Sequence, residues 1–221
     1  MRASLVVLCL LVCLTGCVNT PVSDPGAFPY HAEAQSVGGL RRVVMMPLRT
    51  EIKGHAPVDN LETSLLRAIT AKHLFELLPV AQNDLADTDF DSTRRQGTYQ
   101  TEDLITLSRR FGAEGVIHGI VTHYQVFPQI VVGLRLTLLD CRTGQVPWAT
   151  DLLLDASSRM IEQDVHHYYD TEKWEEGSLL DHEKVLISPR LFGEYASSRI
   201  AATLAAALKP RRHKKAPIAK R

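Results

Sequence analysis

Residues 130–155 constrain the fold more than any other part of this 221-residue chain. From Ile130, apolar residues recur at every second position (Val132, Leu134, Leu136, Leu138), with Arg135 and Thr137 between them. A period of two belongs to a β-strand with one buried and one solvent-facing side. Arg142-Thr143-Gly144 then reads as a tight turn, with Gly144 supplying positive φ. Residues 145–155 return as a strand, with Trp148, Leu152 and Leu154 inward and Asp151 and Asp155 outward. Two long antiparallel strands with one polar face need cover on one side only. Ahead of them, 115–127 reads as a third strand, with Gly119 as the candidate bulge.

The remaining patterns are shorter. Residues 42–48 form an apolar run that ends around Pro47, a buried strand. Asp59 or Asn60 can cap a helix through His73, whose Leu61, Leu65, Leu66 and Ile69 recur at helical spacing. A strand follows at 75–80, and 81–98 is polar and loop-like, with room for a helical turn at 83–85. Thr101 can cap a second helix at 102–111 with Leu104, Ile105 and Leu107 inward, stopped by Gly112. A last helix at 188–208 carries Leu191, Tyr195, Ile200, Leu204 and Leu208, and its alanines permit close packing on the sheet. The order β-α-β-α-β-β-β-α predicts a single α+β domain over 40–208: a mixed, mostly antiparallel sheet with helices packed on one face. Residues 157–187 are expected to be a solvated polar insertion. Residues 17–39, rich in Pro and Gly and without periodicity, are expected to be a flexible tether.

The N-terminus bears on location. Arg2 precedes an apolar run over residues 3–14, and small residues then lead to Cys17. This is the layout of an export signal, and the run is too short to span a bilayer. Leu14-Thr15-Gly16-Cys17 resembles the lipobox of bacterial lipoproteins. The resemblance implies removal of residues 1–16 and acylation of Cys17, with palmitate among the chains. Val18 and Asn19 follow, and no aspartate occupies the position after the cysteine. By the same resemblance this favours the periplasmic face of the outer membrane. Cys9 and Cys13 leave with the signal, so Cys141 remains as the one free thiol and no intramolecular disulfide can form.

Net charge is zero, but it is unevenly spread. Residues 209–221 hold seven Lys or Arg and no acid. With these seven and Arg2 set aside from the 25 basic residues, residues 17–208 carry 17 basic against 25 acidic side chains. The tail is expected to be disordered, broken by Pro210 and Pro217, and able to touch an anionic surface. Nucleic acid is not an expected partner of an exported chain.

Three stretches carry a resemblance to the periplasmic domain shared by CsgG, LpoB and the N-terminal domain of TolB. They are Arg42-Val-Val-Met-Met-Pro-Leu48, Phe75-Glu-Leu-Leu-Pro-Val80, and Ala113-Glu-Gly-Val-Ile-His-Gly-Ile-Val121 followed by Leu138-Leu-Asp-Cys-Arg-Thr-Gly-Gln-Val-Pro-Trp148. The resemblance implies a non-enzymatic adaptor or assembly factor for an envelope protein complex, with a homo-oligomer possible. Its alternative is an oligomeric subunit of a secretion or export assembly. Against a pore, 157–187 has no apolar band of the length a membrane hairpin needs.

The residues themselves offer little chemistry. Asp164, His166, His167, Asp170 and His182 include the side-chain types that hold zinc, which keeps a metal-dependent envelope enzyme as the weakest alternative. Their spacing matches no standard motif, and no metal or other cofactor is expected beyond lipid on Cys17. His118 and His123, five apart on a strand, are expected on opposite faces. No phosphate-binding glycine loop or Gly-x-Ser-x-Gly occurs. Ser197 and Ser198 read as packing residues. Tyr168, Tyr169 and Trp174, aromatic among charges, are the candidates for a partner-binding surface.

Overall fold

The computed structural model describes residues 28–32, 39–50, 52, 58–81, 84, 101–172 and 181–208. Its elements are β1 (Tyr30–Ala32), β2 (Arg42–Met45), β3 (Arg49–Thr50), α1 (Val58–Thr70), β4 (Glu76–Pro79), α2 (Thr101–Phe111), β5 (Gly115–Gln125), β6 (Val131–Asp140), β7 (Trp148–Asp155), α3 (Arg159–Glu172), α4 (Asp181–Ile187) and α5 (Pro189–Leu208). They build the expected α+β domain around one seven-stranded sheet, ordered β1-β7-β6-β5-β2-β4, with β3 paired to β5. The β5–β6–β7 ladders are antiparallel and long, whereas β2 pairs in parallel with β4 on one side and β5 on the other.

That parallel half decides where the helices lie. The crossover from β2 to β4 moves one way across the sheet, and the crossover from β4 to β5 moves back. Right-handed crossovers in opposite directions place their helices on opposite faces. Accordingly Val43, Met45 and Ile117 join the main core with Leu61 and Leu65 of α1, while Val44, Met46 and Val116 form a second core with Leu107 of α2. Helices on one face, as expected, describes α1, α3, α4 and α5; α2 covers the other face, because strands β4-β2-β5 need apolar cover on both sides.

The β6–β7 turn is closed by Asp140. Its buried carboxylate accepts the backbone N–H groups of Arg142 (2.7 Å) and Thr143 (3.2 Å) at Oδ1. Gly144 takes φ +70° and donates its N–H to the Asp140 carbonyl at 2.8 Å. Gly112 ends α2 at φ +62°, as its position suggested.

Two expectations about loose segments are corrected. The tether does not run unbroken to Gly39: Tyr30–Ala32 pairs antiparallel with residues 148–150 of β7. Thr150 Oγ1 donates to the Pro29 carbonyl at 2.8 Å, and Phe28 and Tyr30 pack on the main core. Nor is 157–187 a solvated insertion. Its described residues form α3 and α4, and Ile161, Val165, Tyr168 and Val185 are buried in the main core. The bulge also falls elsewhere than Gly119. The β5–β6 register shifts between Val121 and His123, so Thr122 is the extra residue. Gly133 makes it possible: a Cβ there would lie 2.6 Å from Thr122 Oγ1 and 2.9 Å from the His123 backbone nitrogen.

Candidate functional site

α3 and α5 hold a largely buried, mutually bonded group of polar side chains. α3 starts where Asp155 Oδ1 accepts the Ser157 N–H (2.8 Å) and hydroxyl (2.7 Å), and the Ser158 carbonyl takes the Glu162 N–H. Its apolar residues are few, but Ile161, Val165 and Tyr168 fall on one stripe and are buried in the main core. α5 lies deeper: from Tyr195 to Ala201 every residue is buried, Ser197 and Ser198 among them.

Between the two helices, Asp164 Oδ2 accepts hydrogen bonds from Tyr195 Oη and Arg199 Nε, both at 2.6 Å. Arg199 is wholly buried, and its guanidinium lies over the rings of Tyr168 (5.1 Å) and Tyr195 (5.4 Å). A buried guanidinium needs a counter-charge and filled donor geometry, which Asp164 supplies on one side and the aromatic faces support on the other. Burial first, and then the hydrogen bond to Asp164, push the Tyr195 phenol far above its ordinary range. It therefore remains a protonated donor at neutral pH. The chemistry of this group is clamping: it fixes α3 to α5.

This placement redistributes the residues singled out in the sequence. Tyr168 is only 4% exposed and its ring is engaged inside, so it is not a docking residue. Tyr169 is half-buried and packs against the main core, and Trp174 lies outside the described residues. Asp164 belongs to the clamp. His166 Nδ1 lies 2.9 Å from Asp170 Oδ2, one turn along the exposed side of α3, and the His166 and His182 rings approach to 4.6 Å between centroids. His167, about 100° further round the helix, is not in that contact. Among the described residues, no group of three or more His, Cys, Asp or Glu is arranged to hold a metal ion.

His118 and His123 are a further correction. The extra residue Thr122 reverses the alternation, and their β6 partners, Thr137 and Gly133, lie four apart. Both histidines therefore sit on the α2 side of the sheet. Cys141 is half-buried at the end of β6, and burial, with Asp140 adding, pushes its thiol up to about 11. Such a thiol is protonated and unreactive at neutral pH. Cys17 lies outside the described residues.

Sequence reasoning missed Arg199. Its signal was a basic residue in the otherwise uncharged 195–208 stretch of the helix, four residues after Tyr195.

No protein-family model and no curated protein matches the chain. Solved structures do resemble it. The PelC dodecamer from Paraburkholderia phytofirmans aligns with a TM-score of 0.46 and 13% identity, over 81% of this chain and 95% of that one. Lipoprotein GNA1162 from Neisseria meningitidis aligns at 0.40 and 16%, over 62% and 98%. LpoB from E. coli aligns at 0.36 and 16%, over 53% and 59%. These likenesses are of fold.

Proposed function

We propose that the chain is a lipid-anchored adaptor of the cell envelope: Cys17 holds it on the periplasmic face of the outer membrane, and the α+β domain docks on an envelope protein without catalysing a reaction. The observation that carries this reading is Leu14-Thr15-Gly16-Cys17 at the end of an export signal. Several acyl chains on one cysteine hold a protein nearly permanently, since each buried CH₂ contributes ~0.8 kcal/mol. Among the described residues no helix is long and apolar enough to cross a membrane, so the lipid would do the anchoring. β1 sharpens the reach. A tether running to Gly39 would extend about 80 Å; with Phe28 docked, the eleven steps from Cys17 span at most about 40 Å. The partner is then a membrane-proximal protein.

Radioactive palmitate labelling tests the anchor: label should enter the chain and vanish in Cys17→Ser, and unchanged labelling in the variant would refute it. Pull-down from crosslinked envelopes should recover a membrane-proximal protein. Recovery of only a large ring of this chain would instead favour the secretion-subunit alternative.

A further inference from the structure

The two ends of the sheet differ in chemistry. At the end holding the Gly144 turn, Arg41, Arg42, Glu76, Glu114 and Arg142 are exposed, with an ion pair between Arg42 and Glu76 at 2.7 Å. At the opposite end stand the β5–β6 turn and the β7–α3 turn, brought together where Gln125 pairs with Val131 and Val131 with Asp155. Six large apolar side chains are exposed among the described residues, and four are at this end: Val126 (48%), Phe127 (83%), Leu153 (67%) and Met160 (63%). Leu153 lies two ladder steps in, opposite Gly133. Asp155 is engaged by Ser157, and the exposed charged residues beside Met160 are Arg159 and Glu162 at the start of α3. Clustered exposed apolar side chains mark a contact with a partner or with lipid.

Chain direction selects lipid. β1 runs antiparallel to β7, with Ala32 opposite Trp148 and Tyr30 opposite Thr150. The chain preceding Tyr30 therefore comes from the Asp155 side, which is the Phe127 end. Only ten residues, 18–27, separate Cys17 from Phe28. The chain that leads from Cys17 thus enters the sheet from the end that carries the apolar side chains, opposite the charged Gly144 end.

We propose that the Phe127 end is a second membrane contact, in which Val126 and Phe127 at the hairpin tip enter the headgroup and acyl boundary and Met160 and Leu153 lie against it. This rests on the anchored reading above. A single exposed Phe and its neighbours would not hold a soluble domain on a membrane, but a domain already tethered needs only to be oriented. The contact would set the domain upright, with its charged end presented to the periplasm.

The test uses the lipidated full-length mature protein in phosphatidylethanolamine/phosphatidylglycerol vesicles. An environment-sensitive dye is placed at Val126→Cys or at Thr143→Cys, each with Cys141→Ser. Spin-labelled acyl chains should quench the dye at 126 at least twofold more than at 143, and Phe127→Ser should reduce that difference by half or more. Equal, water-like emission at both sites in protein that floats with the vesicles would overturn the contact and leave the anchor standing. Shielded emission at 126 without lipid quenching would assign the end to a second copy or a protein partner, and so would also overturn it. Failure to float would overturn the anchored reading and this one with it.

Discussion

On one face of the sheet, α1, α3, α4 and α5 lie over strands from both the parallel and the antiparallel halves, and Trp148, Leu134, Leu136, Phe192 and Ile200 are buried beneath them. On the other face, among the described residues, α2 covers the parallel half, and β6 and β7 meet solvent with Arg135, Asp151 and Leu153. The first face is a full interior that includes a charge. The second is a small apolar patch beside an exposed ladder. Stability should therefore be concentrated on the first face, and the second should tolerate change.

The largest effect is expected at the clamp. Asp164→Ala leaves Arg199 buried with its carboxylate removed and should cost about 3–5 kcal/mol. Urea unfolding measures this, and a loss under about 1 kcal/mol would show that the first face does not depend on the ion pair. Next come paired truncations: Leu136→Ala should fall near the top, and Leu107→Ala near the bottom, of the ~2–5 kcal/mol range for buried leucines. Equal losses would erase the distinction between the faces. Gly133→Ala forces a methyl against the His123 backbone and should cost about 1–3 kcal/mol, with changed hydrogen exchange confined to the bulge.

Cys141 adds a pH dependence at the edge of the second core. Its folded pKa is raised, so between the ordinary thiol range near 9 and about 11 the unfolded chain has lost a proton that the folded chain keeps. Stability should fall as pH rises through that window, and Cys141→Ser should remove the thiol's share of the slope, while the raised Tyr195 phenol keeps stability falling at higher pH. A native thiol that alkylates at pH 8 as fast as free cysteine would contradict this. The smallest effect is expected for Arg135 and Asp151, 2.8 Å apart and both more than half exposed: a double-mutant cycle should return at most about 1 kcal/mol, declining with salt.

Much of the sheet was legible because its chemistry repeats locally. β6 announces its faces by alternation, and Asp140, Gly144 and Trp148 mark the turn and the return strand. The segments read wrongly obtain their order from elsewhere. β1 has three residues and no usable period; it forms because β7 offers an edge and Thr150 a hydroxyl. α3 looks solvated because its inner stripe is narrow and its tightest bonds go to a charge on another helix. Thr122 shifts the parity of β5 through a neighbour's missing side chain, which no window along β5 contains.

On the proposed anchored reading, β1 also bears on how the attachment takes load. Its hold on the sheet is three residues long at an outer edge, and no helix or longer strand depends on it for its own pairing. A pull on the N-terminus would load this ladder before any other. Giving way there would free Tyr30–Ala32 from the sheet while β7 stays paired to β6. If Cys17 is anchored as proposed, this three-residue ladder is the first part of the sheet that such a pull meets.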